Sequence, residues 1–254
     1  MQSNSACSPL DFVPWLFRPT QGNQPNLRHS GYFDILGQAL KRAGYTAVAY
    51  DQVGCGYSQG DPGYIERYSF VVDDLQKRAE EHLRYPKRES QVPRVQCKLF
   101  ILGESAGALL ALRHGIGRSH FFPRLPLPGV DVVSTFDAAF GEPRWAAAGK
   151  ADPIVRRVLD AKFHVRTGAE TLNAVDFVND PSKQRLLKSP LAIIVGEKEQ
   201  RVDVGAIFEF YLAAGSIDKQ LKVIPGACHQ LFQDKADITR QAVQEVIAWL
   251  GAHS

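Results

Sequence analysis

A chain of 254 residues, 44% hydrophobic and 22% charged, has the composition of a folded protein with a well-buried core rather than of a disordered or fibrous one. Its formal net charge of +3 comes from interspersed Lys, Arg, Asp and Glu with no run of one sign, which argues against nucleic acid as a partner. Four cysteines, Cys7, Cys55, Cys97 and Cys228, form no C-x-x-C pair and no metal-ligand spacing; reduced thiols in a cytoplasmic protein are expected, with no metal and no cofactor.

The opening MQSNSACSPL lacks the basic start and apolar stretch of a secretory signal. Apolar windows further on, such as 191–195, are far shorter than the roughly 20 residues that cross a bilayer, so membrane association is expected only at the periphery. Residues 12–17 are the one candidate early strand. Phe33, Leu36 and Leu40 then share a helical face, and Gly44 stands where a C-terminal glycine cap is expected. A strand follows at 46–50 (TAVAY), and a helix over about 69–83 presents Val72, Leu75 and Ala79 to the core. Residues 97–102 (CKLFIL) form the next strand, with a helix starting just after Ser105. Over 119–189 prolines are frequent, three short amphipathic pieces occur, and 130–133 is the one strand-like run. This segment reads as a connecting strand and helical cap inserted into a core made of 1–118 and 190–254. Strands at 191–195 (LAIIV) and 221–224 (LKVI) and a final helix over 237–250, burying Val243, Val246, Ile247 and Leu250, complete the chain. Short β-branched runs alternating with helical periods predict an α/β fold with a mostly parallel central sheet flanked by helices. In such sheets the chemistry sits at the carboxyl ends of the strands.

Gly103-Glu104-Ser105-Ala106-Gly107 occupies one of those junctions, directly after the apolar strand and directly before the helix former ALLALRHG. Glycines two before and two after the serine let the strand fold back on the helix and hold Oγ up at the sheet's edge. The Ala106 amide, at a helix N-terminus, is placed to stabilise a developing oxyanion. The plainer alternative is a Gly-Ser turn joining strand to helix.

A serine hydroxyl needs an imidazole to take its proton and a carboxylate to fix the imidazole's tautomer. In this strand-turn-helix arrangement the chain order is serine, acid, histidine. Of seven histidines, His229 alone follows a late strand in a turn-like loop; His29 and His82 precede the serine, His114 and His120 follow it too closely, His164 lies in the cap and His253 at the chain end. For the acid, the loop 196–203 (GEKEQRVD) offers three carboxylates. Glu199, three residues after Gly196, is the first choice because a short turn aims it at His229. Asp203 is the alternative acid, reached by a longer loop, and Glu197 reads as a solvated surface charge.

With these residues in place the chain resembles the monoacylglycerol lipase and lysophospholipase-like branch of the α/β-hydrolases. Residues 50–60 (YDQVGCGYSQG) resemble that branch's D-x-x-G-x-G-x-S-x-G segment, GESAG its G-E-S-M-G elbow, 190–199 (PLAIIVGEKE) its P-x-L-x-x-x-G-x-x-D loop with Glu for Asp, and 225–229 (PGACH) its G-x-x-H loop. The resemblance implies an α/β-hydrolase fold and hydrolysis of a lipid-like carboxylic ester, a monoacylglycerol or lysophospholipid. Ser105 would attack, His229 would shuttle the proton, and the cap would shape an apolar acyl channel and make any peripheral membrane contact. The family's first oxyanion donor comes from a His-Gly loop ahead of an H-S-x-x-Y stretch. His29-Ser30-Gly31-Tyr32 resembles the second part, yet residues 20–28 carry neither an apolar strand nor His-Gly. The early strands therefore read as incomplete, and counting back from His29 puts the oxyanion amide near Asn26 or Leu27. The same residues also fit a non-catalytic ligand-binding protein with an incomplete oxyanion hole, or a small-acyl carboxylesterase or acyltransferase.

Overall fold

The computed structural model describes residues 15–19, 33–84, 99–117, 139–161 and 164–254. In chain order the elements are β1 (Trp15–Pro19), α1 (Asp34–Arg42), β2 (Tyr45–Ala49), α2 (Tyr68–Arg84), β3 (Phe100–Leu102), α3 (Ala106–Ile116), α4 (Pro143–Ala151), α5 (Pro153–Leu159), α6 (Val165–Asn179), α7 (Pro181–Gln184), β4 (Leu191–Gly196), α8 (Val204–Ala213), β5 (Lys219–Ile224), a 3-10 turn (Leu231–Gln233) and α9 (Ala236–His253). The strand and helix positions expected at 46–50, 191–195, 221–224, 69–83 and 237–250 coincide with these elements to within a few residues. The strand-like run at 130–133 lies outside the described residues.

Each strand divides its side chains between two faces, as the two-residue period requires. On β3, Phe100 and Leu102 pack into one cluster with Leu36 and Leu40 of α1 and Ala242 and Val246 of α9. Ile101, pointing the other way, packs with Leu75 of α2, Leu110 of α3 and Ala174 of α6. On β4, Ile194 joins the first face, while Ile193 and Leu191 meet Phe177 of α6 and Phe210 of α8. Helices thus cover both faces, which is why these strands read as continuous apolar runs instead of alternating ones. The segment expected to be a cap is not wholly set apart from this core: α6 sinks Thr171, Ala174, Phe177 and Val178 into it.

Helix α6 also holds the loop that follows β2. Thr167 Oγ1 donates to the Gly63 carbonyl at 2.9 Å and accepts the Ile65 amide at 2.8 Å. The Tyr68 amide donates to Glu170 Oε2 at 2.9 Å, and Arg166 Nε to the Glu66 carbonyl at 2.8 Å. These bonds fasten residues 63–68, at the end of the glycine-rich stretch after β2, to α6.

Among the described residues the strands form a three-stranded sheet in the order β2-β1-β3 and a parallel pair β4-β5. β2 and β3 run the same way, and β1 runs against both. Of the early strand expected at 12–17, residues 12–14 lie outside the described residues and 15–17 fall in β1, whose direction has a consequence. Trp15 pairs with Ala49 and Leu102, whereas Pro19 pairs with Tyr45. β1 therefore ends at the edge where β2 begins, opposite the edge at which β3 delivers Ser105.

Candidate active site

β3 ends at Leu102 and α3 begins at Ala106, so three residues make the whole turn between them. Ser105 takes φ 55° and ψ −122° and is the one non-glycine residue with positive φ among the described residues. Backbone in such a region costs on the order of 1–3 kcal/mol and persists only where its surroundings hold it. Here the close return of the strand onto the helix does so. A Cβ on Gly103 would stand 2.0 Å from the Gly107 carbonyl oxygen, and only glycine permits that approach. Ala106 is buried at the first position of α3, where its N–H is one of the four amides without an intrahelical acceptor.

β4 and β5 end side by side, Gly196 opposite Ile224 in register, and their outgoing loops are stitched together. The Lys198 amide donates to the Ala227 carbonyl at 2.8 Å, the Glu197 amide to the Ile224 carbonyl at 3.0 Å, and the Gly226 amide to Glu197 Oε2 at 2.8 Å. Gly196 is required by this contact, since a Cβ there would lie 2.4 Å from the Ala227 and Cys228 oxygens. The Glu199 amide closes a turn on the Gly196 carbonyl at 3.2 Å. Its Oε1 then accepts the Arg201 amide at 2.6 Å and the Val202 amide at 3.2 Å, which leaves Oε2 to meet His229 Nδ1 at 2.7 Å.

On the far side of the same ring, His229 Nε2 lies 2.7 Å from Ser105 Oγ. An ionised carboxylate only accepts, so Nδ1 carries the proton it donates to Glu199 and Nε2 presents its lone pair to the serine hydroxyl. Both side chains are almost fully enclosed, His229 5% and Glu199 4% exposed. Burial pushes the Glu199 carboxyl up, but the hydrogen bond and charge of His229 and the two amides outweigh it and hold the group below its ordinary value of 4.5.

The residues named from sequence meet different fates. Ser105, His229 and Glu199 are brought together. Asp203 is not: its side chain accepts the Ala206 amide at 3.3 Å and caps α8, a role for which Asp is favoured at that position. Glu197 is exposed and serves the loop stitching. Asn26 and Leu27 lie outside the described residues. Among the other histidines, His114 Nε2 pairs with Gln76 Oε1 at 2.7 Å, His164 packs edge-on against Tyr64, and His253 bonds Asp218. No group of three His, Cys, Asp or Glu among the described residues is arranged to hold a metal ion.

Sequence reasoning passed over the supports of the histidine loop. Its amides donate outwards on both sides of His229: Cys228 to Asp234 Oδ2 at 2.8 Å, Gln230 to the Ala139 carbonyl at 2.9 Å, and Leu231 to Glu104 Oε1 at 2.8 Å. Asp234 and Glu104 are both buried. A buried carboxylate is a signal only once burial is known, and neither position stands out in the sequence.

A family model described as serine aminopeptidase, S33, matches residues 27–125 and 116–236, a stretch that includes Ser105, Glu199 and His229. The chain belongs to this family. It is an α/β-hydrolase, a serine hydrolase of the lipase and esterase type, similar to the monoacylglycerol lipases. Monoglyceride lipase of Rattus norvegicus is 24% identical over 248 residues, covering 87% of this chain and 78% of the relative. Monoacylglycerol lipase of Mycolicibacterium smegmatis is 23% identical over 252 residues, covering 89% and 85%. Among solved structures, the monoacylglycerol lipase of Paleococcus ferrophilus superposes with a TM-score of 0.66 at 18% identity, over 89% of this chain and 91% of that one. A soluble variant of monoglyceride lipase from Saccharomyces cerevisiae, in complex with a substrate analog, gives 0.68 at 18% identity, over 95% and 91%. At these identities the superpositions speak for the fold. No helix among the described residues is long and apolar enough to cross a membrane.

Proposed function

We propose that the protein hydrolyses the ester bond of a monoacylglycerol or a closely related lysolipid, with Ser105 as nucleophile, His229 as general base and Glu199 as the acid that orients the base. The observation that carries this reading is the unbroken hydrogen-bond chain from Ser105 Oγ through His229 to Glu199, 2.7 Å at each step. Glu199 keeps the Nδ1 proton in place, so Nε2 is free to take the hydroxyl proton as Oγ attacks the acyl carbon. The imidazolium so formed faces an ionised carboxylate in an enclosed site, where that pairing is worth most. The Ala106 N–H is the donor assigned to the developing oxyanion. His229 then returns its proton to the glycerol oxygen, which leaves, and a water activated by the same ring releases the fatty acid from the acyl-enzyme. The lipid class rests on the names of the relatives, and the apolar acyl channel is assigned to the helical segment before β4.

Labelling with a fluorophosphonate tests the nucleophile, and comparative hydrolysis of monooleoylglycerol, lysophosphatidylcholine and short nitrophenyl esters tests the substrate. Folded wild-type protein that takes no label at Ser105 would end the hydrolase reading. Equal rates on long and short acyl chains would end the lipid reading and leave a small-acyl esterase.

The direction of β1 favours one second reading, a ligand-binding member of the family with weak turnover. A strand that ends at the edge away from Ser105 does not itself hand a second amide to the oxyanion, and one missing donor typically costs about 10²–10³ in rate. Stoichiometric labelling combined with ester turnover slower than about 10⁻² of ordinary enzyme rates would favour it.

A further inference from the structure

Glu104 sits inside the elbow, between Gly103 and Ser105, and its side chain is buried. It reaches out of its own turn to the loop that carries His229, where Oε1 accepts the Leu231 amide at 2.8 Å in a bond between residues 127 apart in sequence. The neighbour of the nucleophile is thus bonded to the residue two past the base. Beside it runs the Ser105 to His229 bond, so the two bonds and the short stretches of backbone between them form a closed ring.

We propose that Glu104 is a positioning residue that sets the distance between Ser105 Oγ and His229 Nε2. The inference rests on the functional reading above. Asp234 and the Ala139 carbonyl also hold the loop, through Cys228 and Gln230, but they tie it to its own continuation and to the segment before α4. Glu104 ties it to the elbow. The Ser105 backbone gives the tie a purpose, because the close return of β3 onto α3 fixes the turn at φ 55°, so the base must be brought to it. A loop that drifts by an ångström lengthens the serine-histidine bond past proton-transfer reach, and misplacement of that size costs about 10²-fold in rate.

Two substitutions act on the two ends of the bond. Glu104→Met keeps the length and apolar stem of the side chain and removes the acceptor; Glu104→Gln keeps a carbonyl oxygen where Oε1 stands. From the other end, Leu231→Pro removes the donor together with a buried side chain, so Leu231→Ala, which keeps the amide, is its control. Leu231 opens the 3-10 turn, where proline is tolerated, and Gln230 before it is already extended, as a residue preceding proline must be. The measurement is kcat and KM for a short nitrophenyl ester, normalised to sites titrated with a fluorophosphonate, alongside thermal stability. Glu104→Met and Leu231→Pro are expected to lower kcat per titrated site about 10–100-fold with KM within about twofold, and Glu104→Gln to stay within about threefold of wild type. In a double variant of Glu104→Met and Leu231→Pro the losses should not multiply. A structural support alone would lower the melting temperature and the titrated fraction while leaving kcat per site unchanged, and that result overturns the proposal, as does a Gln variant as slow as the Met variant. If Glu104→Met fails to fold, Leu231→Pro decides by itself. Should wild type be inert, or Ser105→Ala as active as wild type, the functional reading falls and this inference with it; an active wild type, a dead Ser105→Ala and an unimpaired Met variant overturn this inference alone.

Discussion

The two sheets deliver their residues to the site in different ways. β4 and β5 run parallel and in register, so their carboxyl ends lie side by side and the loops that leave them share four kinds of contact: amide to carbonyl, amide to carboxylate, a glycine pressed on a carbonyl, and the Glu199 to His229 bond. At the other end β3 brings Ser105 alone, because its neighbour β1 runs backwards and presents Trp15, not Pro19, beside Leu102. Parallel neighbours converge their loops at one edge; an antiparallel neighbour sends its outgoing loop to the other. Glu199 and His229 are consequently over-determined by mutual contacts, while Ser105 relies on the strain of its own turn, on Glu104 and on the helix behind it.

Substitutions can break this contrast at either end, and the largest effect is expected at the elbow. Ser105→Ala should abolish fluorophosphonate labelling and lower ester turnover by about 10⁴–10⁶-fold, with His229→Ala falling in the same range, since members of such a set act as a unit. Retained turnover in Ser105→Ala, measured on protein shown to be folded, would remove the elbow from the chemistry altogether.

Glu199→Gln should cost about 10³–10⁴-fold, because an amide still fills the space yet can offer its N–H to the imidazole and favour the wrong tautomer. Its loss should fall on kcat, read from steady-state kinetics on one good ester.

A smaller effect is expected from parting the two loops without touching either reacting side chain. Gly196→Ala forces a Cβ against the Ala227 and Cys228 oxygens, so the histidine loop must move relative to Glu199; a fall of about 10–100-fold in kcat with KM little changed is expected. Should the variant fold and match wild type, the stitching of β4 to β5 would not matter to the site.

Asp203→Ala belongs to the same loop as Glu199 and supplies the control. Activity is expected within about twofold of wild type, with about 1 kcal/mol of stability lost through the α8 cap and seen by denaturant unfolding. An inactive Asp203→Ala beside an active Glu199→Gln would reverse the assignment of the acid.

The smallest effect is a pH dependence of stability. The Glu199 carboxyl is held below its ordinary 4.5 in the folded protein, so its ionised form contributes stability that is fully present above that value and is lost as pH falls through the folded one. Unfolding curves of wild type and Glu199→Gln should therefore be separated by a constant amount at neutral pH and draw together below about 4.5. Curves that stay parallel into acid would show that ionised Glu199 does not contribute.

What could be read from the chain follows the range of the interactions that decide it. Ser105 and its elbow were legible because strand, turn and helix are adjacent in sequence and the two glycines mark where backbone must approach backbone. His229 was legible from chain order after a late apolar strand, and the helices from their apolar faces, α1 from Leu36 and Leu40 and α9 from Val243, Val246 and Leu250. The choice between Glu199 and Asp203 was weaker, since four residues of loop carry no period. It turns on which backbone amides each carboxylate finds: Arg201 and Val202 hold Glu199 toward the ring, and Ala206 draws Asp203 away. The direction of β1 and the reach of Glu104 to Leu231 were decided by tertiary structure alone. A five-residue strand pairs equally well in either sense as far as its own side chains are concerned, and a glutamate inside a short motif looks the same whether it faces water or a buried amide. Local sequence determined where Ser105 stands; only the packed chain determined what holds His229 against it.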